Sequence, residues 1–262
     1  MLSKLLKNWP EYLMEGGLLG IFMLSACFFT ALLVYPGSPV ASALPGALPR
    51  RVFIGLAMGL TAVFLIYSPW GQRSGAHMNP AVTLTFLRLG KVAKWDALFY
   101  ILAQFIGGAL AVLLASIAFR AVLSDPAVSY ATTTPGPYGV AVAFVAELGI
   151  TFILMLVILL VSNIERAAHF TGLFAGLLIM VYVSFEAPLS GMSMNPARTL
   201  ASAVAALDWT AIWIYFVAPP MGMFLAAEVY LLVRGKEKIF CAKLHHSKHH
   251  RCIFCEHRQA QP

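Results

Sequence analysis

The sequence predicts an all-α membrane protein. Six spanning helices and two shorter re-entrant half-helices would form an inverted repeat of three helices per half. Three observations carry this: a shortage of charge, six long apolar stretches, and an eleven-residue segment that occurs twice. Of 262 residues, 60% are hydrophobic and 11% are charged, where a soluble domain carries about 25% charged. Most side chains must therefore face something other than water.

The apolar stretches cover about residues 12–35, 52–68, 97–119, 139–163, 167–185 and 209–233. Each has the length that crosses hydrocarbon as a helix, roughly 17–25 residues. A helix closes its own backbone hydrogen bonds, which hydrocarbon demands. Lys4 and Lys7 precede the first stretch with no A-x-A-like cleavage pattern, so a retained span is expected there. Pro36-Gly37-Ser38-Pro39, Leu44-Pro45-Gly46, Asp125-Pro126 and Thr134-Pro135-Gly136-Pro137 read as loops. Two apolar segments, 81–87 and 197–207, are too short to span.

The net charge is +7. A nucleic-acid partner is set aside, because the positive residues sit between the apolar stretches and in the tail. With six crossings and both termini inside, the inner side holds Lys4, Lys7, Arg73, Arg88, Lys91, Lys94, Arg166 and the seven Lys and Arg from Arg234 onward. The outer side holds Arg50, Arg51, Arg120 and Arg198. That bias predicts cytoplasmic termini. No Walker loop, dinucleotide fingerprint or H-E-x-x-H is present.

The repeat is the sharpest signal. Residues 74–84, S-G-A-H-M-N-P-A-V-T-L, align with 190–200, S-G-M-S-M-N-P-A-R-T-L, and eight of eleven positions are identical. Each copy follows the second long helix of a three-helix set, and each set carries a glutamate in its first helix, Glu15 or Glu147. Three is odd, so the second set must lie upside down relative to the first. Pro80 and Pro196 suit the first turn of a helix, which puts Asn79 and Asn195 at the N-caps. Two half-helices would then enter from opposite sides and bring their positive ends together near the midplane. The neighbouring Ala81 and Ala197 complete two Asn-Pro-Ala motifs. Paired asparagine donors would hold a passing water by its oxygen and hinder proton relay, and the positive ends would repel cations.

These paired motifs resemble the aquaporin, or major intrinsic protein, family over about residues 10–235. The resemblance implies a channel domain over 1–235, with repeats at about 10–120 and 138–235, followed by a basic Cys/His-rich tail over 236–262. It implies a passive pore for water and small uncharged solutes, with no cofactor required. It also implies a homotetramer with one pore per subunit, in the bilayer of a plasma or inner membrane. Glu15 and Glu147 resemble the buried glutamates that hold the re-entrant loops, though Glu15 also suits snorkelling from a helix end. His77 matches a histidine at the cytoplasmic mouth, or else is simply packed in its loop. Gln104 matches the third-helix signature, or glues helices together.

In this family a constriction selects the solute. Arg198 matches its arginine, Met192 its second loop residue and Val183 its fifth-helix residue. The second-helix residue is Gly59 by ungapped spacing, or Met58 if residues 68–73 carry one extra position. Strict water channels usually place His where Val183 stands, so an apolar, wider filter admitting glycerol, urea or neutral metalloid hydroxides is the alternative. Thr199, Ala203, Tyr215 and Phe216 resemble the water group. A coupled secondary transporter is a more distant reading, disfavoured because the midplane candidates are neutral asparagines. A membrane enzyme lacks a nucleophile, base and metal constellation within the spans.

In the tail, Cys252-x-x-Cys255 with His249 and His257 has zinc-ligand spacing. A solvated basic tail on anionic lipid and a redox dithiol are the rival readings.

Overall fold

A computed structural model describes residues 2–235, 238–246 and 250–259. The principal helices are α1 (Leu2–Val34), α2 (Ala47–Tyr67), α3 (Pro80–Arg88), α4 (Lys94–Ala118), α5 (Val140–Ser162), α6 (Thr171–Phe185), α7 (Pro196–Ala206), α8 (Trp213–Arg234) and α9 (Ile253–Gln259). Six of them, α1, α2, α4, α5, α6 and α8, are long and apolar enough to cross a membrane. Their outward faces carry bare apolar side chains: Phe64 is 72% exposed and Ile117 79%. Such surfaces suit hydrocarbon rather than water.

α1 starts earlier than its apolar stretch does. Hydropathy stops at Asn8 and Glu11, yet both are buried because both are partnered. Asn8 Nδ2 donates to Asp96 Oδ1 at 2.9 Å, the Tyr12 hydroxyl to the same oxygen at 2.6 Å, and Arg73 Nε to Glu11 Oε1 at 3.1 Å. A buried polar group is tolerable once it is paired.

The packing displays the inverted repeat. α1 lies along α4 and α5 along α8, the first and third helices of each half. The two second helices, α2 and α6, pack on each other across the molecule. Each half-helix crosses over: α3 packs on α8, and α7 on α4. Neither half can thus complete its re-entrant segment alone.

Small residues set these crossings, as in membrane bundles generally. A Cβ built on Gly107 would run into the Gly16 carbonyl oxygen, and one on Gly222 into that of Leu148. These are matching contacts in the two halves. Between α2 and α6, a Cβ on Gly59 would stand 2.5 Å from the Gly176 carbonyl oxygen. Gly59 is therefore a helix-contact residue, which corrects the ungapped assignment of position 59 to the constriction.

The described part of the tail folds back onto the helices. Ile239, Ala242, Leu244, Ile253 and Phe254 are buried. A purely solvated tail is thereby corrected: its apolar residues have a surface to cover.

Overpacking at a crossing costs about 1–3 kcal/mol. Gly59→Leu is expected to lower the melting temperature in detergent by about 2–12 °C. An unchanged melting curve would mean that position 59 does not touch α6.

Candidate functional site

The two re-entrant loops are built alike. Each starts from a short helix, Pro69–Ser74 or Ala187–Ser190, that ends on a left-handed glycine, Gly75 (φ 106°) or Gly191 (φ 78°). Positive φ then recurs at non-glycine residues, Ala76 (54°) and Met78 (49°) in one loop, Met192 (52°) and Met194 (54°) in the other. Such conformations cost energy and persist only where the surroundings dictate them. The serines at the loop starts contribute first: Ser74 Oγ accepts from Ala76 N at 3.1 Å, and Ser190 Oγ from Met192 N at 3.0 Å. Tyr100 and Tyr215 donate their hydroxyls to the Ser74 and Ser190 carbonyls at 2.6 and 2.5 Å.

Two fully buried carboxylates contribute more. Glu147 accepts from Ser193 N at 2.6 Å, Met194 N at 2.8 Å and Ser190 Oγ at 2.8 Å. Glu15 accepts from Met78 N and from Gln104 Nε2, the latter at 2.9 Å. Gln104 also donates to Thr83 Oγ1 at 3.1 Å, which ties α4 to α3. Glu15 shows 0% exposure, so it does not snorkel.

Asn79 and Asn195 are extended N-cap residues, with Pro80 and Pro196 opening the helices behind them. Their Oδ1 atoms accept from Ala81 N at 2.8 Å and Ala197 N at 3.0 Å. Their amides reach across: Asn79 Nδ2 donates to the Met194 carbonyl and Asn195 Nδ2 to the Met78 carbonyl, both at 2.7 Å. Each half-helix start is thus fastened to the residue preceding the other one.

A cavity of about 330 Å³ passes this junction. Along α2 it is lined by Arg51, Ile54, Met58, Ala62 and Ile66, a helical stripe about 22 Å long at 1.5 Å per residue. The matching stripe on the other half is Ala175, Ile179, Val183 and Ala187. Asn79, Asn195, Met192 and Arg198 also line it. Met58 falls on the stripe; Gly59, turned 100° further round the helix, falls off it. Among the described residues, Arg198 Nη1 is buried with no hydrogen-bond partner. Most of the remaining wall is apolar.

At the far end of the cavity His77 is sandwiched between Phe86 (centroids 5.3 Å apart) and Phe254 of the tail (5.4 Å). Its Nε2 donates to the Ala242 carbonyl at 2.7 Å, and its Nδ1 lies 3.0 Å from Thr83 Oγ1. Leu244 lines the cavity here as well. Arg51 and Leu244 escaped sequence reasoning. The regular spacing from position 51 to 66 would have disclosed Arg51; nothing local discloses Leu244.

The tail also gathers Cys241, His246, Cys252 and Cys255 into one group whose ligand atoms lie within 4.8 Å of one another. This corrects the expected set. His257 is outside the group, since residues two apart on a helix do not share a face with Cys255. His249 lies outside the described residues. The tail is further tied to α1 by Lys7 Nζ to Glu256 Oε2 at 2.9 Å and by Arg251 Nη2 to Asn8 Oδ1 at 3.0 Å. The neighbouring Arg251 guanidinium holds the Glu256 carboxyl down at about 2.

The model of the family described as major intrinsic protein matches residues 21–230. "Aquaporin NIP2-3" of Zea mays is 41% identical over 189 residues, which cover 72% of this chain and 60% of that protein. "Aquaporin NIP2-2" of Zea mays is 39% identical over 223 residues, covering 84% and 73%. Against the first of these, the chain thus spans about three fifths of the relative's length. The solved aquaglyceroporin from Plasmodium falciparum superposes with a TM-score of 0.70 at 23% identity, covering 86% of this chain and 96% of that one, a likeness of fold. With the family model matching most of its length and six apolar helices to cross a bilayer, the chain belongs to the major intrinsic protein, or aquaporin, family of integral multi-pass membrane proteins.

Proposed function

We propose that this protein is a passive channel for water and small uncharged solutes. The observation that carries the reading is the crosswise pairing of Asn79 and Asn195 in the wall of a long, mostly apolar cavity. Each amide has a second N–H, available to a molecule passing the junction. Two half-helix N-termini meet there, each bearing roughly half a positive charge, and the Arg198 guanidinium adds another. Cations, including protons, are repelled. Anions are opposed by the apolar wall, where no group replaces their hydration. A neutral molecule that accepts hydrogen bonds meets neither barrier.

Arg198, Met192, Val183 and Met58 form the proposed constriction. Three of the four are apolar and two are methionines, whose side chains adapt to what passes. This favours admission of glycerol, urea or neutral metalloid hydroxides alongside water. We further propose a homotetramer with one pore per subunit, in a plasma or inner membrane with both termini cytoplasmic. Family resemblance supports the tetramer, and the distribution of Lys and Arg supports the orientation. The tail cluster of Cys241, His246, Cys252 and Cys255 suits a zinc ion, outside the conduction path.

The channel reading is tested by stopped-flow light scattering on proteoliposomes prepared with a chelator, so that the tail cluster is empty. Shrinkage in sucrose should outpace that of empty vesicles, and re-swelling should follow in glycerol or urea; shrinkage matching empty vesicles would remove the reading. Val183→His should narrow the constriction and depress glycerol flux more than water flux. Equal depression of both would place Val183 outside the constriction.

A further inference from the structure

The tail does two things at once, and the same short segments do both. Cys241 Sγ lies 3.5 Å from Cys252 Sγ and 3.8 Å from Cys255 Sγ, and His246 Nε2 lies 3.3 Å from Cys255 Sγ. Zinc bound tetrahedrally at about 2.3 Å to sulfur and 2.0–2.1 Å to nitrogen puts its ligands about 3.8 Å apart between sulfurs and about 3.6 Å between sulfur and nitrogen. The observed separations have this size. They are far longer than a disulfide, about 2.05 Å, and all four cysteines of the chain are free thiols. Three cysteines and one histidine are a closed structural zinc set. His246 is exposed, which gives the ion a way in.

The ligands come in two pairs, and each pair brackets a contact with the end of the cavity. Between Cys241 and His246 lie Ala242, whose carbonyl accepts from His77, and Leu244, whose N–H donates to the Gly75 carbonyl at 3.1 Å and whose side chain lines the cavity. Lys243, between them, donates to the Gln72 carbonyl at 2.6 Å. Between Cys252 and Cys255 lies Phe254, stacked on the His77 ring with 7° between the planes.

Apart from α9, the described tail has little regular structure to hold this shape. The exposed Lys7–Glu256 pair contributes little in water, while the bidentate Arg251–Glu256 pair joins two points of the tail to each other. Buried apolar residues dock it on the helices, and a metal held by both ligand pairs would add a crosslink between its two segments.

We propose that Cys241, His246, Cys252 and Cys255 bind one zinc ion that fastens the tail as a plug across the His77 end of the pore, so that metal loss releases the plug and opens the channel. The gating half of this rests on the reading of the cavity as a conducting pore; the metal half does not. An aliphatic side chain seated in the pore end suits closure, since apolar constrictions stop flow by excluding water.

The test uses the full chain, loaded with zinc and then washed. Metal analysis should find one zinc per chain in the native protein and almost none in a Cys252→Ser, Cys255→Ser variant. In proteoliposomes, chelation should raise the water permeability of the zinc-loaded native protein several-fold. The double serine variant should conduct at the raised level with or without chelator. A Leu244→Ala, Phe254→Ala variant should keep its zinc and conduct with the zinc bound, which separates plug from metal. Zinc content in the native protein no higher than in the serine variant would overturn the site. Zinc bound with permeability unaltered by chelation, in vesicles that do conduct, would overturn the plug. An absence of flux above empty vesicles in the chelated protein and in both variants would instead overturn the channel reading and the plug with it, while the zinc count still decides the site.

Discussion

Everything in this molecule depends on one exchange of hydrogen bonds: the amide of each capping asparagine donates to the carbonyl of the residue before the other asparagine. Two helices are broken in the interior of a membrane protein, where every open backbone group is costly. The exchange satisfies two carbonyls and pins the two breaks to each other. Glu15 and Glu147 satisfy the N–H groups left open in the strained loops. A carboxylate accepts several donors at once, which no neutral side chain does as well. That is why an otherwise costly acid sits fully buried in the first helix of each half.

The rest of the architecture serves to hold this junction. α3 leans on α8 and α7 on α4, so each half-helix is braced by the opposite repeat. Glycines at the helix crossings let the long helices close tightly around the cavity. The cavity wall is mostly apolar, and its polar side chains stand at the junction, at Arg198 and Arg51, at His77, and at Thr30, Ser129, Thr132 and Ser193. The charged groups among them are both cationic guanidiniums, and the hydroxyls and amides carry no charge. A neutral acceptor fits such a wall better than any ion does.

Much of this was legible in the sequence, because it is written in local chemistry. A proline after an asparagine marks a helix start wherever it stands, and two copies in matching surroundings declare the inversion. Glu147 and Glu15 announce themselves because acids are rare in apolar stretches. Choosing between Met58 and Gly59 was harder, since one residue's slip in a loop rotates a helix face by 100°. In the structure Met58 lies on the cavity stripe with Arg51, Ile54, Ala62 and Ile66, and Gly59 lies against α6. The tail was least legible. Cys252 and Cys255 signal a metal by spacing alone, but Cys241 and His246 join them through a fold with no periodicity to read, and the docking of Leu244 and Phe254 on the His77 end depends on contacts far away in the chain.

If the junction is what makes the pore, the carboxylate behind it should be indispensable to conduction. The direct measurement is osmotic water permeability of Glu147→Leu in chelator-treated proteoliposomes, normalised to the amount of monodisperse protein. Leucine leaves the Ser193 and Met194 N–H groups without their acceptor, while the Ser190 hydroxyl keeps Glu186. The account predicts permeability near that of empty vesicles, with partial recovery in Glu147→Gln, which keeps one acceptor oxygen. Permeability equal to the native protein in Glu147→Leu would contradict it.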